Sequence, residues 1–277
     1  MNINLSTPKT AVSINDGAAQ RTVTLQSIEG LEGTSGADTF TGGAADNLLI
    51  GNGGADQLFG GGGDDTLDTG IGNDTVDGGS GDDLLVADFS FTGNAVTFTG
   101  STTSVTQTTI ITNSSNNKTI SGIERVDITG SVGNDLLLGG ALDDTINGNQ
   151  GNDTVNAGGG GIDSLTGGAG DDLLTVDLGN QTQDISITDG GNTTLNDGTF
   201  IGGFEAFNIV FGSGNDSLNL GTVTLSDTVV GGAGDDTIGT GRGNDTLDGG
   251  AGSDLLEFDF SFTGNSVTFA GSDTSLL

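Results

Sequence analysis

Residues 33–86 consist of GTSGADTFT, GGAADNLLI, GNGGADQLF, GGGGDDTLD, TGIGNDTVD and GGSGDDLLV, six consecutive units of nine residues. Aspartate occupies the sixth position of every unit except the second, which has Asn47, and the eighth position is always apolar. Self-similarity at a short fixed period is typical of repeat architectures, in which each unit packs only against its neighbours. The stretch therefore predicts a regular coil.

Two further runs of the same unit follow. Residues 130–175 hold five units with Ala157 as an extra residue, and residues 211–257 hold five more, with Leu220 and Gly221 as extra residues. Across the sixteen units the sixth position is aspartate fifteen times. One isolated copy would indicate an ordinary hairpin turn, since glycine and aspartate are common turn residues. Sixteen copies in register favour a repeat fold instead.

The segments between the arrays differ in composition. They are richer in Thr, Ser, Val, Ile and Phe, and their alternating apolar residues predict half-buried strands. We expect Phe89 and Phe91 in the core of one such insert. Glu29, Glu124 and Glu205 each follow an apolar residue just before an array. At these entrances we expect a metal-ion site or a strand-end hydrogen bond rather than chemistry.

The chain is therefore predicted to alternate between inserts and arrays. The predicted boundaries are a partial insert at 1–32, an array at 33–86, an insert at 87–129, an array at 130–175, an insert at 176–210, an array at 211–257 and a partial insert at 258–277. The last segment stops before the apolar-glutamate pair that closes the other inserts. We expect the chain to be a piece of a longer repeat protein.

Composition limits the possible functions. The 277 residues include 54 Gly and 38 acidic but only 5 basic residues, for a formal charge of −33, with no His and no Cys. Nucleic acid and anionic membrane surfaces are disfavoured as partners, because both need clustered Lys and Arg. Lack of His and Cys excludes Ser-His-Asp and Cys-His catalysis, disulfides and the usual zinc sites. So much negative charge in a compact fold predicts bound cations.

The unit itself indicates which cation. Glycine at positions one, two and four permits positive φ, so the backbone can curl and direct its carbonyl oxygens toward one centre. Aspartate at position six adds an anionic oxygen. Calcium prefers 6 to 8 oxygen ligands, whereas softer metals prefer His or Cys. We therefore expect calcium in the loops.

Positions seven to nine predict a three-residue strand whose middle side chain points inward. Strands alternating between two faces make a coil of about 18 residues per turn. Each unit buries about one large apolar side chain, worth roughly 1.5 to 3 kcal/mol, while ordering costs about 1 to 2 kcal/mol per residue. We therefore expect the fold to depend on calcium.

The units match GGxGxDxUx, and in this motif the chain resembles the RTX (hemolysin-type) calcium-binding repeat proteins. The resemblance covers a little over half of the chain. It implies an all-β, right-handed parallel β-roll, secretion by a type I system with an uncleaved C-terminal signal, and folding in extracellular calcium. It also implies an ion between each loop and the loop two units later, held by both position-six side chains and by loop carbonyls.

Carried onto this chain, the resemblance implies about ten calcium ions, if an array of n units holds n − 2. The implied side-chain ligands are Asp38, Asn47, Asp56, Asp65, Asp74, Asp83, Asp135, Asp144, Asp153, Asp163, Asp172, Asp216, Asp227, Asp236, Asp245 and Asp254. The implied carbonyl ligands are Gly54, Gly61, Gly63, Gly70, Gly72, Gly79, Gly81, Gly151, Gly159, Gly161, Gly168, Gly170, Gly232, Gly234, Gly241, Gly243, Gly250 and Gly252.

Several units depart from the motif. Asn47 weakens the second unit, Leu142 replaces a loop glycine, and Ala157 interrupts the second array. The unit TVTLSDTVV lacks every glycine, so a turn role alone is an alternative for Asp227. Acidic residues at position five, such as Asp64, are expected to point to solvent.

These observations favour a non-enzymatic, secreted calcium-binding region with a structural or adhesive role, whose partners are calcium ions and an extracellular surface or glycan. We expect a monomeric fragment. The alternative is an accessory or secretion module of a larger secreted enzyme, such as a protease, lipase or polysaccharide-modifying enzyme. Glycan binding along the inserts is disfavoured by the absence of Trp and Tyr. No EF-hand loop and no P-loop motif occurs.

Overall fold

The computed structural model describes residues 2–4, 10–15, 20–25, 28–99, 109–112, 116–188, 192–221 and 225–257. The predicted insert at 258–277 lies outside these residues, and the insert at 1–32 lies partly outside them. The regular structure of the described residues consists of 30 β-strands, mostly of three residues, and includes no helix. Accordingly, no helix in the described ranges has the length and apolarity needed to cross a membrane.

The strands are short because each repeat contributes only positions seven to nine. From the start through the first array they are β1 (Asn2–Asn4), β2 (Thr10–Asn15), β3 (Gln20–Leu25), β4 (Gly30–Glu32), β5 (Thr39–Thr41), β6 (Leu48–Ile50), β7 (Gly53–Gly54), β8 (Gln57–Gly62), β9 (Thr66–Asp68), β10 (Ile71–Gly72), β11 (Asp74–Ser80) and β12 (Leu84–Asp88). The next are β13 (Thr97–Thr99), β14 (Thr109–Thr112), β15 (Lys118–Ser121), β16 (Arg125–Thr129), β17 (Leu136–Leu138), β18 (Thr145–Asn147), β19 (Thr154–Asn156), β20 (Ser164–Thr166) and β21 (Leu173–Asp177). The last are β22 (Ser186–Thr188), β23 (Thr193–Thr194), β24 (Phe200–Gly202), β25 (Ala206–Val210), β26 (Ser217–Asn219), β27 (Thr228–Val230), β28 (Thr237–Gly239), β29 (Thr246–Asp248) and β30 (Leu255–Glu257).

Successive repeat strands alternate between two sheets, and each pairs in parallel with the strand two units away. In one sheet Phe40 of β5 pairs with Leu58 of β8. In the other, Leu49 of β6 pairs with Leu67 of β9. One complete coil therefore takes two nine-residue units, and the predicted parallel β-roll is confirmed.

Three sheets carry the coil. The largest has 13 strands in the order β1-β5-β8-β11-β15-β14-β13-β17-β19-β21-β25-β27-β29. A nine-stranded sheet runs β23-β24-β20-β18-β16-β12-β9-β6-β4, and a four-stranded sheet runs β22-β26-β28-β30. β2 and β3 pair antiparallel, while β7 and β10 pair in parallel. Because the largest sheet contains strands of all three arrays, its hydrogen bonds connect the first array to the third.

The inserts supply strands that continue these sheets. β15 pairs in parallel with β11 at the end of the first array. On the other side of the coil, β16 pairs with β12 and with β18, and so bridges two arrays. β25 connects β21 to β27 in the same way. An insert therefore contributes coil strands as well as the antiparallel pairing of β13, β14 and β15.

The core is a row of position-eight side chains. Those from Phe40 to Ile238 are at most 1 % exposed, whereas Leu247 is half-buried and Leu256 is 38 % exposed. Phe89 is buried as expected, but the prediction for Phe91 is wrong, because 51 % of it is exposed. A turn closed by the Thr92 N–H and the Phe89 carbonyl, 2.9 Å apart from N to O, places Phe91 on the outside.

Leu58 and Gln57 are neighbours in β8, with Leu58 buried and Gln57 exposed. We expect Leu58→Ala to lower the free energy of unfolding in saturating calcium by about 2 to 5 kcal/mol, because it leaves a cavity in a core one side chain thick. Gln57→Ala is the control and should change it by about 0.5 kcal/mol or less. Denaturant unfolding measures both, and equal effects of the two variants would contradict the inward placement of position eight.

Candidate metal centre

The position-six side chains lie inside the coil, directly before each strand. Asp65, Asp83 and Asp172 are fully buried. The complete set of buried members is Asp38, Asn47, Asp56, Asp65, Asp74, Asp83, Asp135, Asp144, Asp153, Asp163, Asp172, Asp216, Asp227 and Asp236. The two nearest the end of the described residues, Asp245 and Asp254, are half-buried.

In most position-six carboxylates, one oxygen is held by the backbone of the preceding coil. The Asp56 N–H donates to Asp74 Oδ1, and the Asp38 N–H donates to Asp56 Oδ1, both at 2.8 Å. The same bond joins Asn47 to Asp65, Asp65 to Asp83, Asp135 to Asp153, Asp144 to Asp163, Asp153 to Asp172, Asp216 to Asp236, Asp227 to Asp245 and Asp236 to Asp254. The side chains therefore form columns with one carboxylate per coil.

The second oxygen, Oδ2, is the unusual feature of these columns. In many members it is buried and has no hydrogen-bond partner within the described part of the chain: Asp56, Asp65, Asp83, Asp153, Asp172, Asp216, Asp227 and Asp236. A buried acceptor without a partner carries its full desolvation penalty, and a charged one carries more. A bound cation would satisfy these oxygens.

In other members of the columns, the second side-chain acceptor receives a backbone N–H of the same loop. Asp144 Oδ2 accepts the Gly140 N–H, and Asp135 Oδ2 accepts the Ser131 N–H, both at 2.6 Å. Asp38 Oδ2 accepts the Thr34 N–H at 2.7 Å. Asn47 receives the Gly43 N–H on its amide oxygen at 2.6 Å. The predicted side-chain ligands are therefore of two kinds.

Glycine serves two separate purposes in the loops. At positions two and four it supplies positive φ, as at Gly79 (108°) and Gly81 (138°). Among the predicted carbonyl donors, positive φ occurs at Gly54, Gly61, Gly63, Gly70, Gly72, Gly79, Gly81, Gly151, Gly161, Gly168, Gly170, Gly232, Gly234, Gly241, Gly250 and Gly252 but not at Gly159 or Gly243. Asn149 takes position two with φ 77°, which asparagine tolerates better than most residues.

Position-one glycine has a different purpose from the one predicted. Gly51 does not have a positive φ. A Cβ on Gly51 would instead lie 2.6 Å from Asp56 Oδ2 and 2.8 Å from the Thr69 carbonyl oxygen. The side chain is missing because the carboxylate and the next loop occupy its space.

The extra residue of the second array is absorbed inside a loop. The Ala157 N–H donates to the Thr175 carbonyl at 3.0 Å, a bond that position one makes in other units. Positive φ then falls on Gly158, Gly160 and Gly161, which explains why Gly159 differs from the prediction. Strand β20 keeps its pairing with β18. The columns continue past the insertion without a break.

Burial changes the acidity of the columns. It raises the pKa of Asp144 and of Asp153 to about 7, and for Asp153 the charges of Asp135 and Asp172 raise it further. It also raises the pKa of Asp83 to about 6, with added repulsion from Asp65. Protons and metal ions are therefore expected to compete for these carboxylates.

Position five forms an exposed ladder of its own. Asp64 Oδ1 accepts the Asp82 N–H at 3.0 Å, and Asn152 Oδ1 accepts the Asp171 N–H at 3.1 Å. These side chains face solvent as expected, but they also link neighbouring coils. Because Asn and Asp both make the bond, its chemistry needs an acceptor oxygen and no charge.

The recurring glutamates extend the buried ladder beyond the arrays. Glu124 Oε2 accepts the Asp83 N–H, and Glu205 Oε2 accepts the Asp172 N–H, both at 2.9 Å. Glu124 Oε1 is buried and has no partner among the described residues. The structure thus has the expected strand-end hydrogen bond at both positions. Glu29 is exposed.

Sequence reasoning missed one member of a column, Lys118. In the parallel ladder it pairs with Asp74, so a lysine stands where other coils have aspartate. Its Nζ contacts Asp74 Oδ2 and donates to the carbonyls of Gly70 at 2.8 Å and Gly72 at 3.2 Å, and to Asn116 Oδ1 at 2.9 Å. Burial lowers the pKa of Lys118, and Asp74 acts in the opposite direction.

A signal for this residue was present. NNKTI at 116–120 aligns with GNDTV at 72–76, with lysine in place of aspartate. The insert lacks the glycines that made the other units visible, and 44 residues separate Lys118 from Asp74.

The donors suit calcium better than other metals. All of them are oxygens, since the chain has no His and no Cys. No three acidic side chains of the described residues converge on one point, so carboxylates alone would not complete the coordination of an ion. Carbonyl and carboxylate oxygens together match the 6 to 8 hard ligands of calcium. The buried Oδ2 atoms fit this cation.

The chain matches a family model described as RTX calcium-binding nonapeptide repeat (4 copies) at residues 32–67, 59–89, 129–161, 157–180 and 224–256, which together make up just over half of its length. No curated protein is significantly similar to it in sequence. The matched ranges contain the first two arrays and most of the third. The chain therefore belongs to the family of RTX calcium-binding nonapeptide repeat proteins.

Proposed function

We propose that the chain binds about ten calcium ions in rows along the coil, and that these ions hold the coil together. The observation that carries this proposal is the row of buried Oδ2 atoms without partners, exemplified by Asp56 and Asp236. In the proposed arrangement the ligands are the position-six side chains and the carbonyls of positions two and four. The two kinds of carboxylate imply unequal sites, with the strongest where Oδ2 has no loop partner.

Calcium has a structural role in this proposal. Burial raises the pKa values of Asp83 and Asp153, and repulsion from neighbouring stacked carboxylates, which water screens poorly inside the coil, raises them further. The apolar core is one side chain thick and cannot offset both this repulsion and the ordering of the loops. An ion that binds only the folded form adds its binding free energy to folding.

The proposed setting is extracellular, after export by a type I system. Calcium sites of extracellular modules have dissociation constants of about 10⁻⁴ to 10⁻³ M, so the chain would stay unfolded where calcium is scarce and fold outside the cell. We propose a structural or adhesive role for this region and no enzymatic one. Its acidic side chains have structural uses in the columns and ladders. The boundaries between arrays and inserts stay a prediction. The sheets that the arrays share are consistent with one continuous coil.

The adjacent residues Asp64 and Asp65 test the proposal directly. We expect Asp65→Asn to bind at least one calcium ion fewer and to need more calcium to fold, because it neutralises a buried column carboxylate. Asp64→Asn is the matched control and should match the parent chain, since asparagine at position five keeps the ladder bond. Circular dichroism during calcium titration measures folding, and equilibrium dialysis counts ions.

The proposal fails if the parent chain has the same spectrum in excess chelator and in millimolar calcium. It also fails if Asp64→Asn and Asp65→Asn lose the same number of ions.

Gly51 and Gly53 provide a second matched pair within one loop. We expect Gly51→Ala to lower the free energy of unfolding in saturating calcium by about 1 to 3 kcal/mol, because its Cβ would crowd Asp56 Oδ2. A Cβ on Gly53 has no heavy atom closer than 3.7 Å. Gly53→Ala should be neutral or stabilise by up to about 1 kcal/mol. Chemical denaturation in calcium compares them, and the reverse order of stability would refute the steric role of position one.

The raised pKa values predict opposite effects of pH on the two forms of the chain. Without calcium, the pKa of Asp144 rises from about 4 in the unfolded chain to about 7 in the folded one. Its contribution to stability is therefore complete below the unfolded value and is lost as the pH rises through the folded value. With calcium the carboxylates must be ionised, so affinity falls as the pH drops below about 7.

Protonation stabilises the calcium-free fold and weakens its calcium affinity, and these two effects offset each other. Between pH 8 and pH 6 the carboxylates are ionised in both the unfolded and the calcium-bound chain, so we expect the calcium concentration at half-folding to change little over this range. In chelator, the chain should become more compact as the pH falls toward about 4. Calcium titrations by circular dichroism at several pH values measure the first effect, and size-exclusion chromatography measures the second. A chain that stays equally expanded in chelator at all of these pH values would contradict the raised pKa values of the buried carboxylates.

A further inference from the structure

One column of the first array ends differently from the others. Its position-six residues are Asp38, Asp56 and Asp74, and the parallel ladder places Lys118 next. The N–H of each aspartate donates to the carboxylate of the following one until Asp74, whose N–H donates to the Asn117 carbonyl at 2.8 Å instead. The anionic column thus stops at a basic residue.

The contacts of the Lys118 ammonium are those expected of a calcium ion. Three of its four oxygen partners are the carbonyls of Gly70 and Gly72 and the Oδ2 atom of Asp74. They occupy positions two, four and six of one loop. Asn116 Oδ1 is the fourth, at 2.9 Å. The side chains of Lys118 and Asp74 are both 0 % exposed, so bulk solvent does not reach this cage.

The second column of the same array provides an internal comparison. It ends at Asp83, and the residue that follows in the ladder is Glu124, another carboxylate. Asp83 Oδ2 and Glu124 Oε1 are buried without partners among the described residues. Asp74 Oδ2, by contrast, is satisfied. At the ends of these two columns, Asp74 therefore faces a lysine, whereas Asp83 faces a second carboxylate.

We propose that the Lys118 ammonium takes the place of a calcium ion at the end of this column, closing the row and joining the first array to the following insert without metal. This inference rests on the proposed calcium sites. The ammonium brings one positive charge and up to three N–H donors to oxygens that would otherwise surround a divalent ion. It is covalently attached, so its occupancy does not depend on calcium concentration.

A calcium ion cannot share this cage with the lysine. Calcium lies about 2.3 to 2.6 Å from its ligands, and an ion at that distance from these carbonyls would displace Nζ or lie against it. Two like charges at such a separation in a buried site repel strongly. The column therefore holds one calcium ion fewer than it would with aspartate at position 118.

The test places the aspartate of the repeat motif at position 118. We expect Lys118→Asp, in the full chain, to bind one more calcium ion than the parent, because it supplies the missing position-six carboxylate. Lys118→Met should lower the unfolding midpoint in saturating calcium without a gain in ions, since it removes the cation and supplies no ligand. Thr119→Met places the same side chain at the exposed neighbouring position and should change neither quantity. Native mass spectrometry counts the ions, and thermal unfolding in calcium gives the midpoints.

The inference is overturned if Lys118→Asp is folded in calcium and binds the same number of ions as the parent. If that variant does not fold, anomalous scattering from crystals of the parent chain in calcium decides. Density for Nζ alone among the oxygens of Gly70, Gly72 and Asp74 supports the inference, and a metal ion at that point refutes it. A parent chain that folds without binding calcium would instead refute the proposed function, a separate result read from the parent alone.

Discussion

The main constraint on the structure is the electrostatic repulsion between position-six carboxylates, which the coil places one above another. Parallel pairing at intervals of 18 residues sets Asp56 beneath Asp74, and backbone N–H groups engage only one oxygen of each. Burial removes the water that would otherwise screen these charges. Two properties of the loops accompany this constraint: positive φ at the glycines of positions two and four, and no Cβ beside the second carboxylate oxygen. A fold that concentrates like charges in this way requires counter-ions as part of its interior.

Parts of the inserts take the positions in the sheets that further repeat units would take. β15 and β16 adopt the register of the repeat strands beside them. Lys118 and Glu124 stand where the next two position-six aspartates would be. One brings positive charge and the other negative charge to the end of the array. The ladder thus continues through a segment whose composition gives little sign of it.

The period of nine predicted much of this architecture. Asp65 and Leu67 could be assigned to the loop and the core because each recurs at the same place in unit after unit. Phe91 could not, since a local turn overrides the alternation on which its prediction depended. The distinct purpose of Gly51 also needed coordinates, because its neighbours Asp56 and Thr69 belong to different coils. Lys118 was missed for a similar reason: the loop that it contacts, from Gly70 to Asp74, lies more than forty residues away.

The loop from Ala157 to Asp163 is one residue longer than its neighbours, yet the strand that follows keeps its partners. Its central residues, 158–162, are all exposed. The nine-residue spacing is therefore a property of strand pairing and not of loop length. For protein engineering, the same turn is a natural position at which to display a foreign peptide on the outside of the solenoid.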